Sequence, residues 1–238
     1  MTASLSSIDS ERFGFPIARA EATDAEGVEQ ALGWCGQAGV RMLVLRVDCA
    51  AVDALLAAQR RGAILLDTVV TWACTPAAPA RVSDGVRHAT AADAAGVERL
   101  ARLAFAGYPN HYRNDPRLAP ALVDEIHPSW AARCCERAGE RDTLLVAREG
   151  DADVGFAAVQ FGEGASADIA LFAVAPQARG RGTGRRLLAD AVAVAAGRGA
   201  RSVTYTTHLD NLAAQRMLCA GGLAPVAARH TFHLWFDA

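Results

Sequence analysis

A short stretch in the last third of the chain joins a strand, a glycine-rich turn and a helix, and it constrains the fold more than any other feature. The strand is predicted over Asp168–Val174, and the glycines of the turn stand at positions 180, 182 and 184. A helix with one apolar face is predicted from Arg185 to about Arg198. Glycines let the backbone approach an anion closely, and free N–H groups at a helix N-terminus point toward it. The turn therefore suits a pyrophosphate.

Three other glycine-rich motifs do not fit this turn. A Walker P-loop needs Gly-Lys followed by Ser or Thr, which the sequence lacks here. A Rossmann fingerprint has a different glycine spacing and requires a ribose-binding acid further along the chain. RNA-binding Arg-Gly segments are longer and are not framed by a strand and a helix.

Charge and hydropathy exclude several classes of protein. The 238 residues carry 24 Lys+Arg against 26 Asp+Glu, a formal net charge of −2, so the basic excess of a nucleic-acid binder is missing. Hydrophobic residues make up 52% of the chain, enough for a buried core. No apolar stretch reaches the roughly 18–20 residues of a membrane span, and the acidic opening lacks the apolar run of a secretory signal. We expect a cytoplasmic protein without a membrane partner.

The cysteines and histidines do not form a metal-binding pattern. The six cysteines and six histidines are dispersed, with no C-x-x-C pair and no His pair at helical spacing beside a carboxylate. We therefore expect no metal site, and cysteines that are mostly reduced and packed in the core.

The order of the predicted elements indicates an α+β fold, in which a mixed central β-sheet is flanked by helices. Residues 1–80 alternate strands and helices, and the proline-containing segment Thr75–Arg81 is typical of a linker to a second unit over residues 81–238. Strands are predicted at Phe13–Ala20, Arg41–Val47, Ile64–Thr71, Val86–Ala89, Thr143–Arg148, Val154–Phe161, Asp168–Val174, Ser202–Thr207 and Thr231–Phe236. Helices are predicted at Asp24–Gln37, from Asp48 or Asp53 to Arg61, at Ala91–Phe105, around Trp130, and at the two segments that begin at Arg185 and Asn211. Asp24 is the expected N-cap of the first of these helices, and Thr90 is the expected cap of Ala91–Phe105.

The glycine-rich turn also resembles a known motif. Gln177-x-x-Gly180-x-Gly182 after a strand resembles the acetyl-CoA-binding motif of the GNAT N-acetyltransferase superfamily. Asn211-x-x-Ala214 opens the next helix where that family places an Asn that contacts CoA, and Gly222-Leu223 lies where its usual Gly-Phe is found. Asn211 also suits a plain N-cap, and it can serve as both.

This resemblance implies the GNAT fold and acetyl-CoA, or another acyl-CoA, as co-substrate. The backbone of Phe172, Ala173 and Val174 would pair with the pantetheine arm, and Asn211 would contact CoA. The pyrophosphate would be surrounded by Gln177, Ala178, Arg179, Gly180, Arg181, Gly182, Thr183, Gly184 and Arg185.

The remaining sequence resembles the dTDP-fucosamine acetyltransferase type, which acetylates an amino group on a nucleotide-linked sugar. The resemblance rests on FGFPIARA, RMLVLRV and ILLDTVVTW in the first eighty residues, on the loop Asn110–Leu118 with Trp130, and on the ending TFHLWF. It implies a partial GNAT-like domain over residues 1–80 and a GNAT acyltransferase domain over residues 81–238.

One position departs from the family pattern. A tyrosine that protonates the departing CoA thiolate commonly lies seven residues after the helix-opening Asn, and here that position is Leu218. Leucine cannot donate a proton, although a thiol of pKa about 8.5 is a tolerable leaving group. Tyr205, His208, Cys219 or water must then replace the acid. Alternatively, Tyr205 faces the core, His208 belongs to a loop and Cys219 serves packing.

Acyl transfer also needs a base that takes a proton from the ammonium group of the acceptor. Asp168 begins the strand at a position where relatives often carry Glu, unless it is simply a surface residue. His111 and Asp115 are alternatives in the polar loop, and with Tyr112 they are also predicted to bind substrate, because this loop is more polar than a connection requires. The opposing interpretation is that Asn114-Asp115-Pro116 forms a turn, in which Asp115 caps the segment that follows.

The resemblance as a whole implies acyl transfer from a thioester to a primary amine of a small molecule. A backbone N–H near Ala173–Val174 would stabilise the oxyanion. The acceptor is either an amino-sugar nucleotide or an intermediate of a natural-product pathway. In one rival hypothesis an acyl carrier protein delivers the acyl group, and in another the chain is a non-catalytic CoA-binding regulator. A homodimer is compatible with the sequence.

Overall fold

The computed structural model describes residues 3–77, 81–139 and 142–236. Its strands are β1 (Ser4–Leu5), β2 (Ile17–Ala22), β3 (Met42–Asp48), β4 (Ile64–Cys74), β5 (Val86–His88), β6 (Asp142–Glu149), β7 (Ala152–Phe161), β8 (Ser166–Val174), β9 (Ser202–His208) and β10 (Ala224–Trp235). Its α-helices are α1 (Ser7–Phe13), α2 (Ala25–Gln37), α3 (Val52–Arg60), α4 (Ala94–Ala104), α5 (Pro120–Asp124), α6 (Ile126–Glu136), α7 (Thr183–Gly197) and α8 (Leu212–Ala220).

One mixed sheet runs through the described part of the chain. Its ten strands lie in the order β1-β2-β3-β10-β4-β9-β8-β7-β6-β5. The pairs β2–β3 and β8–β9 are parallel, and the other neighbours are antiparallel. Helices cover both faces, with α7 and α8 on one side of β6–β9 and α4 and α6 on the other. The α+β prediction, with a mixed sheet flanked by helices, is confirmed.

The last strand, β10, pairs with two strands of the first eighty residues. It lies between β3 and β4 and pairs with both, so that Phe232 stands opposite Leu45 on one side and Leu65 on the other. The strand is 12 residues long and begins well before the predicted Thr231, because pairing with β4 extends it through residues of low strand propensity. The domain boundary at residues 80/81 stays a prediction, and residues 78–80 of the expected linker lie outside the described residues.

The two faces of β10 serve different parts of the molecule. Phe232 and Leu234 pack in a cluster with the buried side chains of α2 and α3. His233 and Trp235 point to the opposite face, where they meet the loop that connects α4 to α5. Because side chains alternate along a strand, β10 anchors a helical layer with one set and the loop with the other.

The start of the chain differs from its prediction. A helix, α1, occupies Ser7–Phe13, whereas a strand was expected to begin at Phe13. The Ser6 side chain caps this helix by accepting from the Asp9 amide, and Gly14 ends it with φ of 77°. The prediction was wrong because the capping pattern of a two-turn helix is weaker than the apolar alternation of the strand that follows.

Two predicted helix caps are present, whereas the start of α3 differs from its prediction. The Asp24 side chain caps α2 by accepting from the Gly27 amide, and Thr90 forms a capping box with Asp93. The helix α3 begins at Val52 after Ala51, without a side-chain cap, so Asp48 does not start it and Asp53 lies in its first turn. In the described part of the chain, no helix is long and apolar enough to cross a membrane.

The role of β10 predicts a stability effect. Phe232→Ala should lower the free energy of unfolding by about 3–5 kcal/mol, because the ring is 1% exposed and its loss leaves a cavity between β10 and the helices. Urea denaturation followed by circular dichroism measures this. Val226→Ala on the same strand, at 62% exposure, is the control and should change stability by less than about 0.5 kcal/mol. Equal effects of the two substitutions would contradict the assignment.

Candidate active site

A groove of about 1060 Å³ crosses the middle of the sheet. One end, here called the turn end, is lined by Gly180, Gly182, Gly184 and Arg185. The other, the loop end, lies beneath the loop between α4 and α5 and is lined by Arg19, Arg46, Asp67, Tyr108, His111, Tyr112 and His208. The groove thus brings the glycine-rich turn and the polar loop, which are about 70 residues apart in sequence, into one site.

The groove exists because β8 and β9 separate. Their parallel pairing covers only Ser166 to Asp168 of β8, which face Ser202 to Thr204 of β9. Between Asp168 and Leu171, the pairing of β8 with β7 skips Ala170, which is the extra residue of a β-bulge. Beyond the bulge, β8 has no partner on the side of β9, so part of its backbone edge is available to a ligand.

Phe172, Ala173 and Val174 lie on this unpaired part of β8. All three line the groove, and their pairing with a pantetheine arm stays a prediction. The Phe172 ring packs edge-on against Tyr205 of β9, with ring centroids 5.9 Å apart. This contact keeps the two strands apart at the width of a side chain.

The backbone of the turn is shaped for an anion. Gly180 and Gly182 have φ of 75° and 86°, a region that residues with side chains rarely adopt. Gly182 is the N-cap of α7 and provides no side-chain cap, so the first amides of the helix have no partner within it. Gly184 is needed for a different reason, because a Cβ there would meet Met217 Sδ at 3.1 Å. The turn end is a helix N-terminus with exposed donors.

Four of the residues predicted to surround the pyrophosphate do not line the groove, namely Gln177, Ala178, Arg181 and Thr183. Ala178 is buried in the core under α7. The Thr183 hydroxyl donates to Glu149 Oε1 at 2.8 Å, and Arg181 lies 3.7 Å from the same carboxylate. The contacts of these two side chains fasten the turn to the end of β6.

Arg179 lines the groove, but two of its guanidinium nitrogens already donate to backbone carbonyl groups. Its Nε donates to the Val174 carbonyl at 3.0 Å, and its Nη2 donates to the Ala104 carbonyl at 2.9 Å. The guanidinium thereby joins the end of β8 to the end of α4. Arg185 lines the groove without such contacts among the described residues, so it is the arginine of this end that is available for a phosphate.

Asn211 connects the two ends of the groove. Its Oδ1 accepts from the Ala214 amide at 3.1 Å, as an N-cap of α8 does. Its Nδ2 donates to the Tyr108 hydroxyl and to Thr207 Oγ1, each at 3.2 Å. The residue is therefore both a cap and a wall of the groove, as the sequence allowed.

Tyr108 is a groove residue that the sequence reasoning missed. Its ring meets His208 edge-on with centroids 5.4 Å apart, and burial raises the pKa of its hydroxyl above 10. At neutral pH the hydroxyl is protonated and can donate. The only sequence signal was an aromatic residue in the polar loop, three positions before the residues chosen as candidates.

The predicted substitutes for the missing acid lie in different places. Leu218 is 0% exposed and belongs to the core between α8 and the sheet. Cys219 is exposed and does not line the groove. Tyr205 and His208 both line it, and burial raises the pKa of Tyr205 well above its usual value.

Asp168 lies where the pairing of β8 and β9 ends, and it lines the groove. Thr204 donates to its Oδ1 at 2.6 Å. Burial raises the pKa of this carboxyl above 3.8, and the Thr204 hydroxyl opposes that shift. The carboxylate can accept a proton, although it is already engaged by its neighbour.

A chain of three polar side chains leads from the core to the loop end. Asp115 Oδ2 lies 2.7 Å from His233 Nδ1, and His233 Nε2 lies 2.8 Å from His111 Nδ1. Trp235 Nε1 donates to the same Asp115 oxygen at 2.9 Å. His233 is 0% exposed and Asp115 is 3% exposed, whereas His111 lines the groove. The chain is an Asp–His–His relay that ends at the site.

The relay determines which nitrogen of His111 is free. Burial raises the pKa of Asp115, but hydrogen bonds from His233, the Arg117 amide and Trp235 outweigh it, so the pKa lies below 3.8 and the group is ionised. Since a carboxylate only accepts, His233 donates from Nδ1 to Asp115. In the tautomer in which His233 Nε2 accepts from His111 Nδ1, the Nε2 of His111 is unprotonated.

His111 is neutral at physiological pH because of the groups that surround it. Burial, together with nearby His233, Arg46 and Arg19, lowers its pKa well below 6.5. An unprotonated imidazole nitrogen in a groove is suited to accept a proton.

Of the three predicted substrate residues, only His111 and Tyr112 line the groove. Asp115 is buried behind them and acts on His111 through His233. Tyr112 is 3% exposed, and its hydroxyl accepts from Arg19 Nη2 at 3.0 Å. Burial raises the pKa of Tyr112 well above 10, so it remains neutral.

Two charged residues of the loop end were also missed by the sequence reasoning, Arg46 on β3 and Asp67 on β4. Both sit in segments that were predicted as strands, Arg41–Val47 and Ile64–Thr71. A charge within such a strand was the available signal, because a charged residue is rarely buried unless paired or functional. Within the ranges 3–77, 81–139 and 142–236, no group of three or more His, Cys, Asp or Glu could hold a metal ion.

Comparison with known proteins identifies the fold. Residues 107–220 match the acetyltransferase (GNAT) family. No curated protein sequence matches the chain. Among solved structures, a GNAT N-acetyltransferase from Sphaerobacter thermophilus is similar with a TM-score of 0.61 at 15% identity, covering 98% of this chain and 76% of that one. A GNAT-family acetyltransferase from Novosphingobium aromaticivorans is similar with a TM-score of 0.59 at 15% identity, over 95% of this chain and 86% of that one.

A third similar structure is a tandem GNAT protein from the clavulanic acid biosynthesis pathway. Its TM-score is 0.56 at 16% identity, and the similarity covers 94% of this chain and 77% of that one. These likenesses extend over nearly the whole chain, so the strands and helices described above form a GNAT fold. The family match covers the polar loop, the unpaired strand and the glycine-rich turn, all of which lie within residues 107–220.

Proposed function

We propose that the chain is an N-acyltransferase that moves an acetyl or related acyl group from coenzyme A to a primary amine of a small molecule. The observation that carries the proposal is the groove itself. It joins an anion-binding helix N-terminus, an unpaired strand edge and an unprotonated histidine in one continuous space. Transfer to an amine needs these three elements together.

The turn end suits coenzyme A. The pyrophosphate fits the amides at the start of α7, next to Gly182 and Arg185. The unpaired edge of β8 offers backbone donors and acceptors to the amide groups of the pantetheine arm, in the manner of an added strand. A thioester at the end of that arm would then lie between β8 and β9, near Asn211.

The loop end suits the proton transfers. His111 Nε2 takes a proton from the ammonium group, and the neutral amine then attacks the thioester carbonyl, so that a C–N bond forms and the C–S bond breaks. The second proton that the nitrogen loses restores the acid that protonates the thiolate. Asp115 and His233 are positioning residues that hold the imidazole in the required tautomer. The Tyr108 hydroxyl, held by Asn211, donates a proton to the departing thiolate.

The finer identity of the acceptor also belongs to this proposal. The sequence resemblance to the dTDP-fucosamine acetyltransferase type favours an amino-sugar nucleotide. An intermediate of a natural-product pathway is the second candidate. Incubation with acetyl-CoA and a panel of primary amines tests the function, with thiol release and product mass as readouts. Tight CoA binding without turnover of any amine would favour a regulatory protein instead.

The donor assignment predicts the effect of a single turn substitution. Gly182→Val should weaken CoA binding at least about tenfold, because valine is strained at φ of 86° and the turn must distort. Isothermal titration calorimetry measures the affinity, and circular dichroism checks that the protein is folded. Gly36→Val, at an exposed position with no atom within 4 Å of the added Cβ, is the control. Unchanged affinity in Gly182→Val would overturn the pyrophosphate assignment.

The base assignment predicts a loss of turnover without a loss of donor binding. His111→Gln should lower kcat/KM about 100-fold or more and leave the affinity for CoA unchanged, because general-base catalysis is typically that large. The exposed His88→Gln is the control. In the unchanged protein, any acid limb due to His111 should lie well below pH 6.5, since its pKa is lowered and the base must be unprotonated. Full activity of His111→Gln would exclude this base.

The acid assignment can be tested with two tyrosines. Tyr108→Phe should lower kcat about tenfold to 100-fold, at or below the low end of general-acid effects because a thiolate leaves readily. Tyr205→Phe removes the hydroxyl of a second tyrosine that lines the groove and should have a smaller effect. If Tyr205→Phe lost the activity and Tyr108→Phe kept it, the acid would be Tyr205, one of the candidates predicted from the sequence.

A further inference from the structure

Arg12, Arg19 and Arg46 line the groove, and the first two are already engaged. Arg12 donates to the Ser129 hydroxyl at 2.6 Å. Arg19 forms an ion pair with Asp9 at 2.7 Å and donates to Tyr112. Arg46 makes no hydrogen bond or ion pair with the residues that the structure describes, although it lines the groove and is only partly exposed. Its guanidinium is free to bind an anion.

Asp67 lies nearby with the opposite charge. Its side chain is 5% exposed, and neither carboxylate oxygen has a hydrogen-bond partner in the described part of the chain. The Nδ1 atom of His208 lies 3.6 Å from Oδ2, which is too far for a hydrogen bond. A buried carboxylate without hydrogen-bond donors is unfavourable unless a ligand supplies them.

The strand pairing places these two residues in one row. Thr231 on β10 stands opposite Arg46 on β3 and opposite Asp67 on β4. Two strand spacings separate the α-carbons of Arg46 and Asp67, roughly 10 Å. The Thr231 hydroxyl between them is 0% exposed and also has no partner among the described residues. Arg46 and Asp67 both line the same end of the groove, and Thr231 is buried between them.

Asp67 is the charged residue of the row that lies nearer to the donor cleft. Asp67 lies on β4 two residues from Val69, which pairs with His208 of β9, the strand that borders the donor cleft. Arg46 lies two strands further away, on β3. A molecule that lies along the row therefore has its cationic group near the thioester and its anionic group remote from it.

We propose that Arg46 and Asp67 form the recognition pair for the acyl acceptor, which is a small amine that also carries a carboxylate or phosphate. Asp67 receives the amine, and Arg46 binds the anionic group. This inference rests on the proposed function, because it describes the acceptor of that reaction. Burial and the neighbouring Arg19 lower the pKa of Arg46, and the carboxylates of Asp67 and Glu21 only partly oppose this shift.

The test compares three matched pairs of amines, with acetyl-CoA as donor. They are β-alanine and β-alaninamide, O-phosphoethanolamine and ethanolamine, and glucosamine 6-phosphate and glucosamine. The anionic member should have a kcat/KM about 10- to 100-fold higher in at least one pair, as expected for a charge-assisted interaction. The first pair reports a carboxylate, and the other two report a phosphate. Equal values within every pair would overturn the inference.

Two variants and one control connect the preference for anionic amines to Arg46 and Asp67. Arg46→Gln should reduce the preference for the anionic member to less than about threefold, an effect of the size expected when one charge-assisted contact is lost. Arg41→Gln, an exposed arginine just before β3, should leave it unchanged. Asp67→Asn should raise KM for every amine, since all of them share the ammonium group. A preference that survives Arg46→Gln would contradict the assignment.

A binding measurement separates this inference from the proposed function. Saturation-transfer NMR of the same amines, with the CoA-loaded protein, reports binding without turnover. Binding of an anionic amine that depends on Arg46, together with no turnover of any amine, would overturn the N-acyltransferase proposal and leave the recognition pair standing. Turnover of neutral amines with no binding advantage for the anionic ones would overturn the recognition pair and leave the N-acyltransferase proposal standing.

Discussion

The separation of β8 from β9 beyond Asp168 and Thr204 is the constraint on which the rest of the structure depends. Two parallel neighbours would normally continue to pair, and the bulge at Ala170 with the Phe172–Tyr205 contact prevents this. The separation opens the sheet and leaves backbone groups of β8 unsatisfied. It also directs the strand toward the glycine-rich turn, so that a strand edge and a helix N-terminus face the same space.

The loop end depends on a different kind of contact. It is built where β3, β10 and β4 lie side by side, which brings the last residues of the chain between two strands of the first eighty. His233 of β10 joins the buried Asp115 to His111, and Thr231 of the same strand separates Arg46 from Asp67. In this account the donor site is local in sequence, whereas the acceptor site is assembled by long-range pairing.

This difference explains how much the sequence could predict. The turn, the caps at Asp24 and Thr90 and the strand–helix order are encoded within a few residues, and they were predicted. The relay from Asp115 to His111 was not, because nothing in the ending TFHLWF indicates which strands it will lie between. Leu218 shows the same limit, since its burial is visible only once α8 packs on the sheet. Tyr108 could not be assigned before its contact with Asn211 was known.

The central claim is that a CoA thioester lies in the cleft between β8 and β9. A crystal structure of the protein with acetyl-CoA tests it most directly. The account predicts the pyrophosphate at the amides from Gly180 to Arg185, the pantetheine arm along the unpaired edge of β8, and the thioester turned toward the loop end near Tyr108. A coenzyme bound outside this cleft, or one whose thioester points away from His111, would contradict it.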